Sequence, residues 1–331
     1  MGEIGSEFWS VPVASTETLL FPKSTMWFLS GRSALLSIIQ DLKDCHTVAM
    51  PSWCCDSMIK PFVDNGFDVR FYSALFDCSF HQDPRIDCDV LFLMDYFGYS
   101  SYSKKVSDYA GIIIRDVTHS VFSSDFTDAD YYFGSLRKWC GVWTGGYAWT
   151  SDGHKLNIDS ADNSTYVSLR KQAMEMKKAY ISGEKRSKGF LGIFEEAEYI
   201  LEKAGAIEAD DRDVQLARRI DNRIIKYKRR ENADVLRAAF PDWLIFPLMM
   251  INDCPMFVPV LIPNGKRDEL RNYLINKSIY CPVHWPISEY HRLTEEERFI
   301  YDNEMSIVCD QRYTPDDMNR IVETIKQFME V

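Results

Sequence analysis

The sequence predicts an α/β fold with a mainly parallel sheet, followed by a small α+β unit. Three observations lead there. Helix-like and strand-like segments alternate through the first half, two strand-like runs (residues 90–94 and 111–114) are almost wholly apolar, and the pattern shortens beyond Pro241. Strands that are apolar on both faces are those covered by helices on either side of a parallel sheet.

Each element has its own signal. Behind Ser30-Gly31-Arg32, residues 33–42 place Leu35, Leu36, Ile38, Ile39 and Leu42 at helical spacing, with Ser30 positioned as N-cap. Residues 47–50 read as a short strand closed by Pro51. A second helix carries Met58, Ile59, Phe62 and Val63 on one face, and Gly66 is placed to end it. Residues 67–72, 90–94 and 111–114 are the next strands, with 130–133 and 146–150 after them. From 165 to 240 the chain turns charged and helical. There Met174, Lys177, Lys178, Glu195, Glu196 and Glu198 are expected on partly solvated helices. KYKRRE at 226–231 reads as an exposed helix face rather than an anion site. Beyond Pro241 come a strand at 256–262, a helix at 266–276, an irregular stretch with Pro282 and Pro286, and a final helix at 315–329. The expected division is a large domain over 1–240 and a small one over 241–331.

Composition narrows the function. The 331 residues suggest about two structural units. A net charge of −11 argues against a phosphate-backbone partner, so no nucleic acid is expected. No apolar run is long enough to span a bilayer, and residues 1–22 lack a signal-peptide pattern, so no membrane partner is expected. The nine cysteines (Cys45, Cys54, Cys55, Cys78, Cys88, Cys140, Cys254, Cys281, Cys309) are scattered, and none forms a C-x-x-C pair. They read as reduced thiols of a cytoplasmic protein, mostly buried, with no metal site.

Four patches lie at strand ends or helix starts, where ligands collect in open α/β sheets. Ser30-Gly31-Arg32 could offer backbone N–H groups to an anion, or could simply start a helix. Trp53, directly after a strand, is either a stacking indole or a core residue. Asp116, at the end of an apolar strand in Arg115-Asp116-Val117-Thr118-His119, either meets a cation or caps a turn. The fourth patch, Gly134-Ser135-Leu136-Arg137-Lys138-Trp139, precedes the Gly145-Gly146 turn. Among Leu136, Trp139, Trp143 and Tyr147, Lys138 is expected to be partly desolvated, which would lower its pKa and make it a better nucleophile. Taken in order, these features suit pyridoxal phosphate (PLP): donors for a phosphate, a flat partner for the ring, a carboxylate for the pyridine nitrogen and an amine for the aldehyde.

The ordered set resembles the DegT/DnrJ-type sugar aminotransferases, which belong to the fold type I PLP-dependent enzymes. The resemblance rests on SGRSALLSIIQDL, VAMPSWCCDSMIKPFVDNGFDVRFY, LFLMDYFGYS, IIIRDVTHS and FGSLRKWCGVWTGGYAWTSD, across about 26–152. It implies a large domain built on a mainly parallel seven-stranded sheet and a small α+β C-terminal domain. It implies that Lys138 forms the Schiff base and moves a proton as general base and acid, while Asp116 pairs with the ring nitrogen. His119 would contact the ring hydroxyl and Trp53 would stack on the ring. Ser30, Gly31, Arg32 and Ser135 would hold the phosphate.

The same resemblance implies a small-molecule amino donor (glutamate or glutamine), a keto-sugar acceptor carried on a nucleoside diphosphate, and a homodimer with shared active sites. Phe97, Arg212, His284 and Trp285 are the implied substrate-side residues. Arg212 stands only in the region of the family's Asn-Tyr-Arg-like segment. An Arg often found near Tyr280-Cys281-Pro282-Val283-His284-Trp285 is absent. Two other readings stay open: another PLP-dependent transferase or lyase on this fold, and a non-catalytic PLP-binding regulatory protein.

Overall fold

Val90–Met94 lies inside a seven-stranded sheet and all five of its residues are buried, as a strand covered on both faces requires. The computed structural model describes residues 2–106, 109–123, 126 and 128–330. The sheet order is Met26–Phe28, Gly146–Thr150, Tyr131–Ser135, Ile112–Asp116, Val90–Met94, Thr47–Pro51, Asp68–Tyr72. The expected mainly parallel seven-stranded α/β architecture is therefore present. Among the described residues, no helix is long and apolar enough to cross a membrane.

The chain divides into two compact units. The first comprises residues 1–6, 45–128 and 222–331. Its strand Thr47–Pro51 pairs in parallel with Asp68–Tyr72 and with Val90–Met94. Val90–Met94 in turn pairs in parallel with Ile112–Asp116, so that Met94 and Asp116 end side by side. Helix Asp56–Asp64 buries Ile59 and Phe62 and is followed by Gly66, whose φ of 81° suits glycine.

Farther along this unit, the antiparallel strands Val258–Leu261 and Glu304–Ile307 carry the helices Asn222–Ala239, Arg267–Asn276 and Pro315–Met329. Leu236, Val260, Leu270, Leu274, Met305, Ile321 and Ile325 form the core between them. The last helix begins with a Thr314–Asp317 capping box and Pro315 in its first turn.

Two expectations in this unit are corrected. The stretch after Pro286 is not irregular throughout, because Thr294 and Glu297 form a capping box that starts the helix Glu295–Asn303. The strand Glu304–Ile307 follows, with buried Glu304 and Ser306 where an apolar alternation would normally signal a strand. Nor is KYKRRE wholly a solvated face. Tyr227 is exposed, but Arg229 is buried, donating to Gln311 Oε1 (2.7 Å) and to the carbonyls of Pro255 (3.3 Å) and Met256 (2.7 Å). Arg229→Ala strands those acceptors and is expected to cost about 3 kcal/mol, read as a lowered urea midpoint.

The second unit comprises residues 7–44 and 129–221. Gly146–Thr150 runs antiparallel to both Met26–Phe28 and Tyr131–Ser135. Helix Gly31–Asp41 is capped by Ser30, whose side chain accepts from the Ser33 N–H (3.1 Å). That helix buries Ala34, Leu35, Ile38 and Ile39 along one stripe. Helices Ser164–Ile181 and Phe190–Glu202 pack through Ala173, Met174, Phe190 and Phe194. Met174 and Lys177 lie on the buried side of the partly solvated helix Ser164–Ile181. The Lys177 ammonium lies 5.3 Å from the Trp9 ring centroid, a cation–π contact that offsets its loss of water.

Candidate active site

The candidate residues fall into two groups, one in each unit. In the second unit three segments converge. Strand Tyr131–Ser135 ends at Ser135 and passes into the 3₁₀ turn Leu136–Lys138. The Leu136 N–H donates to the Gly145 carbonyl (2.8 Å), tying this turn to the start of strand Gly146–Thr150. A Cβ on Gly146 would sit 2.0 Å from the Ser30 carbonyl oxygen, so glycine is obligatory there. A Cβ on Gly31 would sit 3.3 Å from Ser135 Cβ. Ser30-Gly31-Arg32, Ser135 and the glycine pair are thus neighbours.

The helix that starts at Gly31 carries no acidic residue in its first turn, and its N-terminal N–H groups favour negative charge. Such a glycine-lined helix start, with Arg32 half-buried in the first turn and Ser135 against it, fits a phosphate monoester.

Lys138 is exposed in this chain. The expected desolvation among Leu136, Trp139 and Tyr147 is not found, although all three are fully buried. The turn explains the difference. With three residues per turn, Leu136 and Trp139 point the same way, into the core, and Lys138 is left pointing elsewhere.

Arg212 places its guanidinium 3.8 Å from the Trp143 ring centroid and 3.1 Å from Asp213 Oδ1. Asp213, which the sequence reading did not single out, is buried and accepts from the Trp143 N–H (3.0 Å), the Thr144 N–H (2.7 Å) and the Thr144 hydroxyl (2.9 Å). Burial raises its carboxyl pKa above the ordinary value despite these donors. Asp213 therefore pins the backbone just before Gly145-Gly146. Its only sequence signal is its place beside Arg212.

In the first unit Trp53, Phe97, His119, His284 and Trp285 are brought together. Trp53 is fully buried, stacked on Tyr96 at 4.9 Å and 10°, and its indole N–H donates to the His284 carbonyl (2.6 Å). Phe97 lies 4.8 Å from the His119 ring and 5.1 Å from the His284 ring, and its N–H donates to His119 Nδ1 (3.5 Å). Its φ of 51° is left-handed, a strain of roughly 1–2 kcal/mol. The Met256 N–H, donating to the Phe97 carbonyl (2.8 Å), helps to hold it. Trp285 lies nearly parallel to His119, at 5.9 Å and 18°.

Asp116 ends its strand at 1% exposure, with Oδ1 accepting from the Thr118 N–H at 2.8 Å. A carboxylate buried this deeply at the carboxyl end of a parallel strand suits a cationic ring nitrogen. The donor sets of both groups fit PLP.

The cysteines of the chain are free thiols, and Cys54, Cys140, Cys254, Cys281 and Cys309 are buried. Burial pushes the Cys281 thiol up to about 11 and Cys254 up to about 12, which leaves both inert as nucleophiles.

No family model matches the sequence, and no curated protein does. Solved structures do match. PseC of Helicobacter pylori, an aminotransferase involved in the biosynthesis of pseudoaminic acid, is 15% identical with a TM-score of 0.63, over 98% of this chain and 100% of PseC. A DegT DnrJ EryC1 StrS aminotransferase from Brucella abortus is 13% identical with a TM-score of 0.61, over 92% of this chain and 85% of that one. Bacillus subtilis NtdA, with bound cofactor PMP, is 12% identical with a TM-score of 0.61, over 93% of this chain and 73% of NtdA. Across nearly its whole length, this chain has the fold of the DegT/DnrJ/EryC1/StrS aminotransferases.

Proposed function

We propose that the chain is a PLP-dependent aminotransferase that moves an amino group from glutamate or glutamine to the carbonyl of a nucleotide-linked keto-sugar. One observation carries the reading: the convergence of the Ser30-Gly31 helix start, Ser135 and the Gly145-Gly146 turn on the segment that bears Lys138. The aminotransferases of the same fold support it.

Ser30, Gly31, Arg32 and Ser135 would hold the phosphate through backbone and side-chain donors. Lys138 Nζ would form the Schiff base, then take and return the proton at the donor α-carbon. Asp116 would keep the ring nitrogen protonated, and His119 would orient the ring hydroxyl. When bound, PLP supplies the electron sink for the carbanion. Phe97, Arg212, His284 and Trp285 are the proposed substrate-side residues.

A homodimer, a cytoplasmic location and a small domain over 241–331 belong to the same proposal. The free thiols suit a reducing compartment. The test is a single-turnover reaction of PLP-loaded protein with glutamate and glutamine. Bleaching of the yellow chromophore is expected; a chromophore that no amino donor bleaches would overturn the reading.

Trp53 is proposed as the flat partner of the ring. Trp53→Phe removes the bond to the His284 carbonyl and is expected to cost about 1–3 kcal/mol in urea unfolding while weakening cofactor retention. Unchanged retention would leave Trp53 a core residue alone.

A further inference from the structure

Glu304 and Ser306 are separated by two positions on the strand Glu304–Ile307, so they share one face, and both are fully buried. A carboxylate shut away from water costs several kcal/mol unless its oxygens are satisfied. Both oxygens of Glu304 have partners: Oε1 accepts from the Ser306 hydroxyl (2.6 Å) and Oε2 from the His284 backbone N–H (2.7 Å). Ser306 Oγ also lies 2.9 Å from His284 Nδ1.

A hydroxyl has a single proton. With that proton directed to the carboxylate, Ser306 can only accept from the ring, so Nδ1 carries hydrogen. In the neutral imidazole the lone pair then sits on Nε2. That atom makes no hydrogen bond among the described residues and is not shut off from solvent, the His284 side chain being 13% exposed. The ring stands edge-on to Phe97 (5.1 Å, 69°) and to Trp285 (5.2 Å, 79°), so apolar walls flank it.

We infer that Glu304 and Ser306 are positioning residues that lock His284 as the Nδ1–H tautomer, leaving Nε2 as the acceptor for a substrate hydroxyl. The inference rests on the aminotransferase reading for its substrate and on this chain's own geometry for the tautomer. It favours an acceptor ketone that bears a hydroxyl within reach of His284 over its deoxy counterpart. A site built to pair with a hydroxyl discriminates against the analogue that lacks one.

Two measurements test it. In protein labelled with ¹⁵N-histidine, with the six histidines told apart by His284→Gln, the His284 ring at pH 8 should show a protonated Nδ1 and a lone-pair Nε2. Ser306→Ala should abolish that bias and Ser306→Thr should restore it. A wild-type ring protonated at Nε2, or a tautomer indifferent to Ser306→Ala, overturns the inference.

In the second measurement, enzyme preloaded with the amine form of the cofactor meets matched ketone pairs that differ by a single hydroxyl. Wild type should prefer the hydroxylated member by about tenfold in kcat/KM, and Ser306→Ala should level the pair. The loss should fall on the acceptor half-reaction far more than on the glutamate half-reaction. Indifference of wild type to every pair, or a preference that survives Ser306→Ala, also overturns it. Wild type that fails to react with glutamate or glutamine would instead sink the aminotransferase reading, and the ring spectrum would still decide the tautomer.

Discussion

Lys138→Ala should leave a protein that binds PLP without a borohydride-reducible linkage and whose half-reaction with glutamate falls by about 10⁴-fold. The magnitude is that of removing a positioned general acid–base together with the attachment point. Lys138 ends the 3₁₀ turn whose first residue is tied to Gly145, so the amine is carried by a fixed piece of backbone rather than a loose loop. Borohydride followed by mass mapping of the peptide checks the linkage directly. A variant that still yields a reduced adduct would mean that the attachment belongs to another lysine, and the proposed chemistry would move with it.

Asp116→Asn should retain the cofactor but slow the glutamate half-reaction by about 10³-fold, since a buried ion pair of about 4 kcal/mol would be lost where charge develops. At 1% exposure Asp116 is shielded from solvent, and the Thr118 N–H engages Oδ1. An amide of the same shape keeps that packing but cannot hold the ring nitrogen cationic. Rapid-mixing absorbance separates the outcomes: slow bleaching with normal loading supports the role, whereas wild-type bleaching rates would remove it.

The elements that the sequence declared most clearly are those whose signals are local and redundant. Residues 146–150 combine a glycine pair with an apolar run, and the strand Gly146–Thr150 has those bounds. Residues 315–329 read as a final helix, and the helix Pro315–Met329 has those bounds too. The seventh strand was legible only through resemblance, because Met26–Phe28 is three residues long and carries little periodicity.

What stayed hidden was set by tertiary partners. Glu304 and Ser306 look like surface residues until His284 is seen to join them. Arg229 looks solvated until Gln311 and two carbonyls are placed around it. Lys138 was read as desolvated from its neighbours in sequence, yet a turn of three residues directs those neighbours inward and the lysine away from them. Charge on its own does not disclose burial, and proximity along the chain does not disclose shared direction.

The Gly146 backbone lies so close to the Ser30 carbonyl that no side chain fits between them. The frame that sets this corner of the molecule is therefore main chain against main chain, independent of the side chains mounted on it. Exchanging those groups should retune what the corner does without dismantling it, which makes this scaffold a natural place to swap one chemistry for another.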